Sequence, residues 1–200
     1  MSGINWTLRE AYDDNWTSIT YGNGLFVALS NSGSRIMSSP DGITWTSIQT
    51  GIIINNDTRD SWVSITYGNG LFIALSRSGS RIMSSPDGIT WTTIQTGIII
   101  SNYYRNWWQS ITYANGLFVA VGRDSVGNSV ITSPDGITWT HQKPNVGQTS
   151  WNSITYGNGL FVVVSSSGDS QVMTSPDGIN WTVQKATINR WLSITYGNNL

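Results

Sequence analysis

Apolar and polar positions along this chain fall into short runs broken by asparagine, aspartate and glycine. Ser18 to Gly22 alternates polar and apolar residues, the period-two signature of a strand with one face buried. Leu25 to Ser30 reads Leu-Phe-Val-Ala-Leu-Ser, apolar on both faces, as a strand sandwiched between neighbouring sheets requires. Arg35 to Ser39 and Ile43 to Ile48 supply a third and a fourth run. Asn23-Gly24 separates the first two runs and Asp41-Gly42 the last two, the pairs that favour tight hairpins. Ile, Val, Thr, Tyr, Phe and Trp fill the runs, as strands prefer. No window combines helical periodicity with capping residues. Four short strands in sequence are predicted.

The pattern then repeats. Trp16 to Tyr21 recurs at Trp62, Trp108, Trp151 and Trp191, at steps of 46, 46, 43 and 40 residues. Between Trp16–Ile54 and Trp62–Ile100 only four of 39 aligned positions differ. A period of this length belongs to a propeller blade or a helical repeat, and the Asn-Gly and Asp-Gly turns argue for the blade. A small four-stranded sheet cannot cover both its own faces. Sheets arranged around an axis bury them against one another and leave only short edges. The predicted fold is all-β, a β-propeller of four-stranded antiparallel blades.

Complete repeats are predicted at about 16–61, 62–107, 108–150 and 151–190. Gly3-Ile4-Asn5-Trp6-Thr7 matches Gly178 to Thr182, and Trp191 to Leu200 matches Trp151 to Leu160. These orphan strands, 3–8 and 191–200, point to a fifth blade position lacking its second and third strands. Three arrangements follow: a fragment of a longer array, four blades that close with irregular terminal strands, or open edges that recruit another copy of the chain.

The turn after the third strand carries a family resemblance. Ser39-Pro40-Asp41-Gly42-Ile43-Thr44-Trp45 resembles the Asp-box, the bacterial neuraminidase repeat with the pattern Ser/Thr-x-Asp-x-Gly-x-x-Trp. The matching positions are Ser39, Asp41, Gly42 and Trp45; Ser85, Asp87, Gly88 and Trp91; Ser133, Asp135, Gly136 and Trp139; Ser175, Asp177, Gly178 and Trp181. Asp and Gly are adjacent here, one residue closer than in the family pattern. The whole unit is similar to tandem repeats of bacterial and phage-associated proteins. The resemblance implies a propeller, and it is compatible with sialidases, other glycosidases, lectins and receptors alike. Physically, the Asp is expected to accept backbone amides in a tight turn and the Trp to bury its ring. One carboxylate per turn is too few for a calcium ion, and no metal or cofactor is expected.

Composition narrows the function. Ten basic and eleven acidic residues leave a net charge of −1, which argues against a nucleic-acid partner. Twenty-three aromatic residues in 200 argue against disorder. No apolar run approaches the roughly 18 residues of a membrane span, so no membrane insertion is expected. The start of the chain has no signal-peptide pattern. A secreted, surface or virion context is suggested by the resemblance alone. There is no Cys, hence no disulfide, zinc-thiolate or cysteine nucleophile.

The turns joining strands one to two and three to four are short and constant; they belong on one face. The loops between strands two and three, and between blades, vary, and binding residues tend to sit on such loops. They offer Arg59, Tyr103, Tyr104, Arg105, Trp107, Arg123, Asp124 and Arg190 as ligand-binding candidates, a set of rings and charges that suits a sugar or a protein. Arg35 and Arg81, at the start of the third strands, read as solvated. A sialidase needs an arginine cluster and a Tyr-Glu pair, yet the single Glu, Glu10, lies near Tyr12 in a linker. Other glycosidases need two facing carboxylates, and the repeated Asp residues come one per blade. His141 alone makes neither a triad nor a metal site. The expectation is a non-catalytic binding module for glycan or protein. The alternatives are a structural or self-assembling repeat that oligomerises through open blade edges, and a degenerate sialidase-like glycosidase.

Overall fold

The structure is a computed structural model that describes residues 7–8, 13–31, 35–49, 61–77, 81–94, 107–123, 130–144, 150–167, 171–187 and 189–197. Blade one comprises β1 (Trp16–Gly22), β2 (Leu25–Ser30), β3 (Arg35–Ser39) and β4 (Thr46–Gln49). Blade two comprises β5 (Trp62–Gly68), β6 (Leu71–Ser76), β7 (Ile82–Ser85) and β8 (Thr92–Ile94). Blade three comprises β9 (Trp107–Ala114), β10 (Leu117–Arg123), β11 (Val130–Ser133) and β12 (Thr140–Gln142). Blade four comprises β13 (Trp151–Gly157), β14 (Leu160–Ser165), β15 (Val172–Ser175) and β16 (Thr182–Gln184). Each blade is an antiparallel meander with its strands in chain order. The fold is all-β, four four-stranded blades.

Local chemistry sets the strand ends. Asn23 and Gly24 both take positive φ, 49° and 75°, the two-residue turn whose twist matches a hairpin. It brings Tyr21 opposite Phe26, with ring centroids 4.6 Å apart. The predicted bounds of β2 and β3 coincide with the observed ones, while β1 begins two residues earlier, at Trp16. The fourth strand begins at Thr46 rather than Ile43. Its first residues are drawn into the turn, because Asp41 Oδ1 accepts from the amides of both Ile43 and Thr44 at 2.8 Å.

The core lies between blades. Val27, Leu29 and Ile36 of blade one pack against Trp62, Ile65, Phe72, Ala74, Met83 and Trp91 of blade two. The same arrangement joins blades two and three, and blades three and four. Each blade therefore has a trailing face, carried by its Leu25- and Val27-type positions, and a leading face, carried by its Ile65- and Tyr67-type positions. A serine hydroxyl in each first strand accepts from an amide of the next blade: Ser18 from Ile65 at 3.2 Å, Ser64 from Ile111 at 3.2 Å and Ser110 from Ile154 at 3.3 Å. The first strands also approach closely. A Cβ at Gly22 would lie 2.0 Å from Tyr67 Cγ, so only glycine leaves room for that ring.

The orphan strands are corrected in part. Residues 191–197 form no strand. They nonetheless lie where a fifth first strand would lie: Ile194 N donates to Ser153 Oγ at 3.3 Å, and Tyr196 covers Gly157 as Tyr67 covers Gly22. Of the segment 3–8 only Thr7 and Leu8 are described, and neither is in a strand. Among the described residues, the outer faces of blade one and of segment 191–197 stay exposed. A Cβ at Gly197 would meet nothing within 4 Å, and Ile19 on blade one is 55% exposed where Ile65 is 5%.

Candidate functional site

The constant face holds the repeated turns, and their polar groups bond within the turn. Ser39 Oγ donates to Asp41 Oδ1 at 3.0 Å and accepts from Gly42 N at 2.9 Å. The same pair of bonds recurs at Ser85, Ser133 and Ser175. Trp91, Trp139 and Trp181 each turn the indole N–H back onto the carbonyl of Gly88, Gly136 and Gly178 at 3.1–3.2 Å. Amides at Thr90 and Ile89 hold the Asp87 carboxyl down to about 2. Amides at Thr138 and Ile137 do the same for Asp135. Asp41 and Asp177 are lowered by the same kind of donors. These carboxylates are ionised and committed to their own turns.

The opposite face is where the first strands begin. Trp62, Trp108 and Trp151 stand there fully buried, so they are core residues and present no ring to a ligand. Of the eight binding candidates, Arg59, Tyr103, Tyr104, Arg105 and Asp124 lie outside the described residues, as do Glu10 and Tyr12. Trp107 is not in a loop. It opens β9 and pairs in register with Arg123, one pair beyond the tryptophan at which the first-strand ladders of the other blades end. Arg123 is likewise the last residue of β10 rather than a loop residue. Arg190 is exposed on the segment leading to the fifth position. Arg35 is not simply solvated: its Nη1 pairs with Asp14 Oδ2 at 3.2 Å, and Asp14 Oδ1 also accepts from Ser30 Oγ at 2.8 Å. His141 lies in β12, opposite Ile131.

One corner of this face gathers polar groups from three consecutive blade positions. Arg123 Nη2 donates to Asn152 Oδ1 at 2.8 Å. Asn152 Nδ2 donates to the Trp191 carbonyl at 2.8 Å. The Trp191 ring is 38% exposed, and Arg190 precedes it in the chain. Arg123 and Arg190 thus lie on adjoining elements, joined through Asn152 and Trp191. Sequence reasoning missed Asn152 and Trp191. A signal existed: Asn152 occupies the one position that changes within the Trp-x-Ser-Ile-Thr-Tyr strands, where Thr17, Val63 and Leu192 also stand. The corner offers a guanidinium, an amide and an exposed ring, which is the equipment of non-covalent binding. Among the described residues no three His, Asp or Glu side chains gather as a metal group would.

No protein-family model matches the chain, and no curated protein matches it in sequence. Solved structures do resemble it. YCF48 bound to D1 peptide is 13% identical with a TM-score of 0.69, over 98% of this chain and 62% of that one. Virginiamycin B lyase from Staphylococcus aureus is 16% identical with a TM-score of 0.74, over 92% and 60%. A chain of the nidogen/laminin complex is 15% identical with a TM-score of 0.64, over 91% and 68%. These are β-propeller neighbours, and at such identities the likeness is one of fold. The chain spans about three fifths of the length of the first two.

Proposed function

We propose that this protein is a non-catalytic interaction module that takes a protein or peptide on the face where the first strands begin. The observation that carries the reading is the Arg123–Asn152–Trp191 corner, a half-buried guanidinium bonded through Asn152 to the main-chain carbonyl of Trp191, whose side chain is exposed. Arginine and tryptophan on adjoining elements are the residue types of an interface anchor. The commitment of the four repeated carboxylates to their own turns supports a role without catalysis, since among the described residues no facing acid pair is left on that face. The neighbours lend support of a coarser kind: one is described with a bound peptide, another in a protein complex. The shared Ser–Asp–Gly–Trp turn geometry supports kinship with the Asp-box.

A glycan is the second reading, favoured by the exposed Trp191 ring beside hydrogen-bonding groups. Both are tested on the immobilised full chain, by selection from a displayed peptide library and by a glycan array. A selected peptide should lose about tenfold in affinity on Arg123→Ala, the loss of roughly 1.4 kcal/mol. Glycan binding sensitive to Trp191→Ala would favour the second reading. Binding to neither, or binding indifferent to Arg123, Asn152 and Trp191, would sink both.

A further inference from the structure

The blade–blade interface is made three times inside the chain, and each of its two halves also stands uncovered once. The leading face is open on blade one. Ile19 is 55% exposed and Tyr21 58%, where Ile65, Ile111 and Ile154 are 5–6%. The Asp-Gly turn shows the same gap. A Cβ at Gly88 would meet Leu25 and Val27 of the preceding blade, one at Gly136 would meet Ile73, and one at Gly178 would meet Leu117 and Val119. A Cβ at Gly42 would meet only Phe26 of its own blade.

The trailing face is open on blade four. Leu160 is 38% exposed where Leu25, Leu71 and Leu117 are half-buried, and Val162 is half-buried where Val27, Ile73 and Val119 are fully buried. Residues 191–197 cover this face only in part. They read Trp-Leu-Ser-Ile-Thr-Tyr-Gly, the sequence of β1 with Leu192 in place of Thr17. They make the serine and tyrosine contacts of a first strand.

We propose that blade one of a second copy seats on blade four, taking the place that residues 191–197 hold in the single chain. Every contact has its template inside the molecule. Ile19 N of the second copy would donate to Ser153 Oγ, as Ile194 N does now. Tyr21 would cover Gly157 in place of Tyr196, and the Gly42 turn would close over Leu160 as the Gly88 turn closes over Leu25. The two halves are different surfaces, so the association is head-to-tail, and its geometry decides between a closed ring and a growing chain. Residues 191–197 compete from within the same molecule at a high effective concentration. The second copy prevails by bringing a four-stranded blade with its Asp-Gly turn against a segment that is in no strand.

The test is the mass of the full chain by light scattering across a concentration series. Masses of two or more times 21.9 kDa that fall on dilution are expected. Tyr196→Ala, which loosens the competing segment without touching the second copy's contacts, should lower the association concentration about tenfold. Ile19→Asp and Leu160→Asp change exposed positions on opposite halves, so the single chain should still fold, and each alone should give one-chain mass. Mixed, they retain one intact pair of halves and should give a species of two chains and no larger. A one-chain mass for the unaltered protein at all concentrations would overturn the proposal. So would association that survives either aspartate, a mixture that stays at one chain, or no response to Tyr196→Ala.

Discussion

Ile19 and Ile65 occupy the same repeat position in nearly the same sequence, so substituting each by alanine isolates what the neighbouring blade contributes. Ile65 is 5% exposed and packs in the cluster shared by blades one and two, while Ile19 is 55% exposed. Truncating a buried isoleucine costs about 2–5 kcal/mol, the transfer of the lost carbons plus the cavity left behind. Ile19 leaves no closed cavity and gives up less than half its area, so its loss should stay below about 1 kcal/mol. The assay is urea unfolding followed by tryptophan fluorescence, at concentrations where light scattering gives one-chain mass. With a slope of about 2 kcal/mol per molar, Ile65→Ala should lower the midpoint by about 1 M or more and Ile19→Ala by less than about 0.5 M. Equal shifts would refute the reasoning, because the leading face of blade one would then be covered in the single chain.

Two further outcomes follow from the turns. Gly116→Ala meets open space and should cost about 1–2 kcal/mol for its positive φ, whereas Gly136→Ala also drives a Cβ to 2.8 Å from Ile73 Cδ1 and should cost about 1–3 kcal/mol more by urea titration. Asp87 and Asp135 titrate near 2 when folded against an ordinary 3.8, so their stabilisation is present above the unfolded value and is lost as pH falls from about 4 towards 2. Asp87→Asn with Asp135→Asn should flatten that part of the acid-unfolding profile, and an unchanged profile would mean that the turn amides do not act on those carboxylates.

What was legible in the sequence was whatever short-range chemistry decides. Asn-Gly fixed the β1–β2 register, and the apolar run fixed β2 to the residue. The start of β4 was not legible from alternation, because Asp41 reaches forward to two amides and holds Ile43 and Thr44 in the turn. The variable stretch before Trp108 reads as loop, whereas the β9–β10 ladder runs one pair further than the others, to Trp107 and Arg123. The pattern alone left three arrangements of the terminal strands open. A repeat states what each blade presents to the next, but the rotation per blade comes from packing, as where Tyr67 seats on Gly22. At the third blade that glycine is Ala114, which packs with Tyr156 against the same cluster, so the rule itself bends at the junction that carries the candidate corner.

The second position of each first strand is where the repeat departs from itself, and it has a measurable consequence. Thr17 Oγ1 donates to the Trp62 carbonyl at 2.8 Å, and Asn152 Nδ2 donates to the Trp191 carbonyl at 2.8 Å. Both side chains reach across to the next blade and hold the carbonyl of its leading tryptophan. Val63 stands at the same position between blades two and three and has no donor. Val63→Thr keeps the branched shape and should place a hydroxyl against the Trp108 carbonyl. Val63 is only half-buried, so the desolvation of the hydroxyl is modest and the new bond should contribute about 0.5–1 kcal/mol. For a chain of this length that is a rise of roughly 1–4 °C in Tm. The reverse change, Thr17→Val, should lower Tm by a similar amount, because it leaves the Trp62 carbonyl without that donor. A fall on Val63→Thr, or no change on Thr17→Val, would show that the junction is set by apolar packing alone and that Asn152 is at its position for the corner it forms with Arg123.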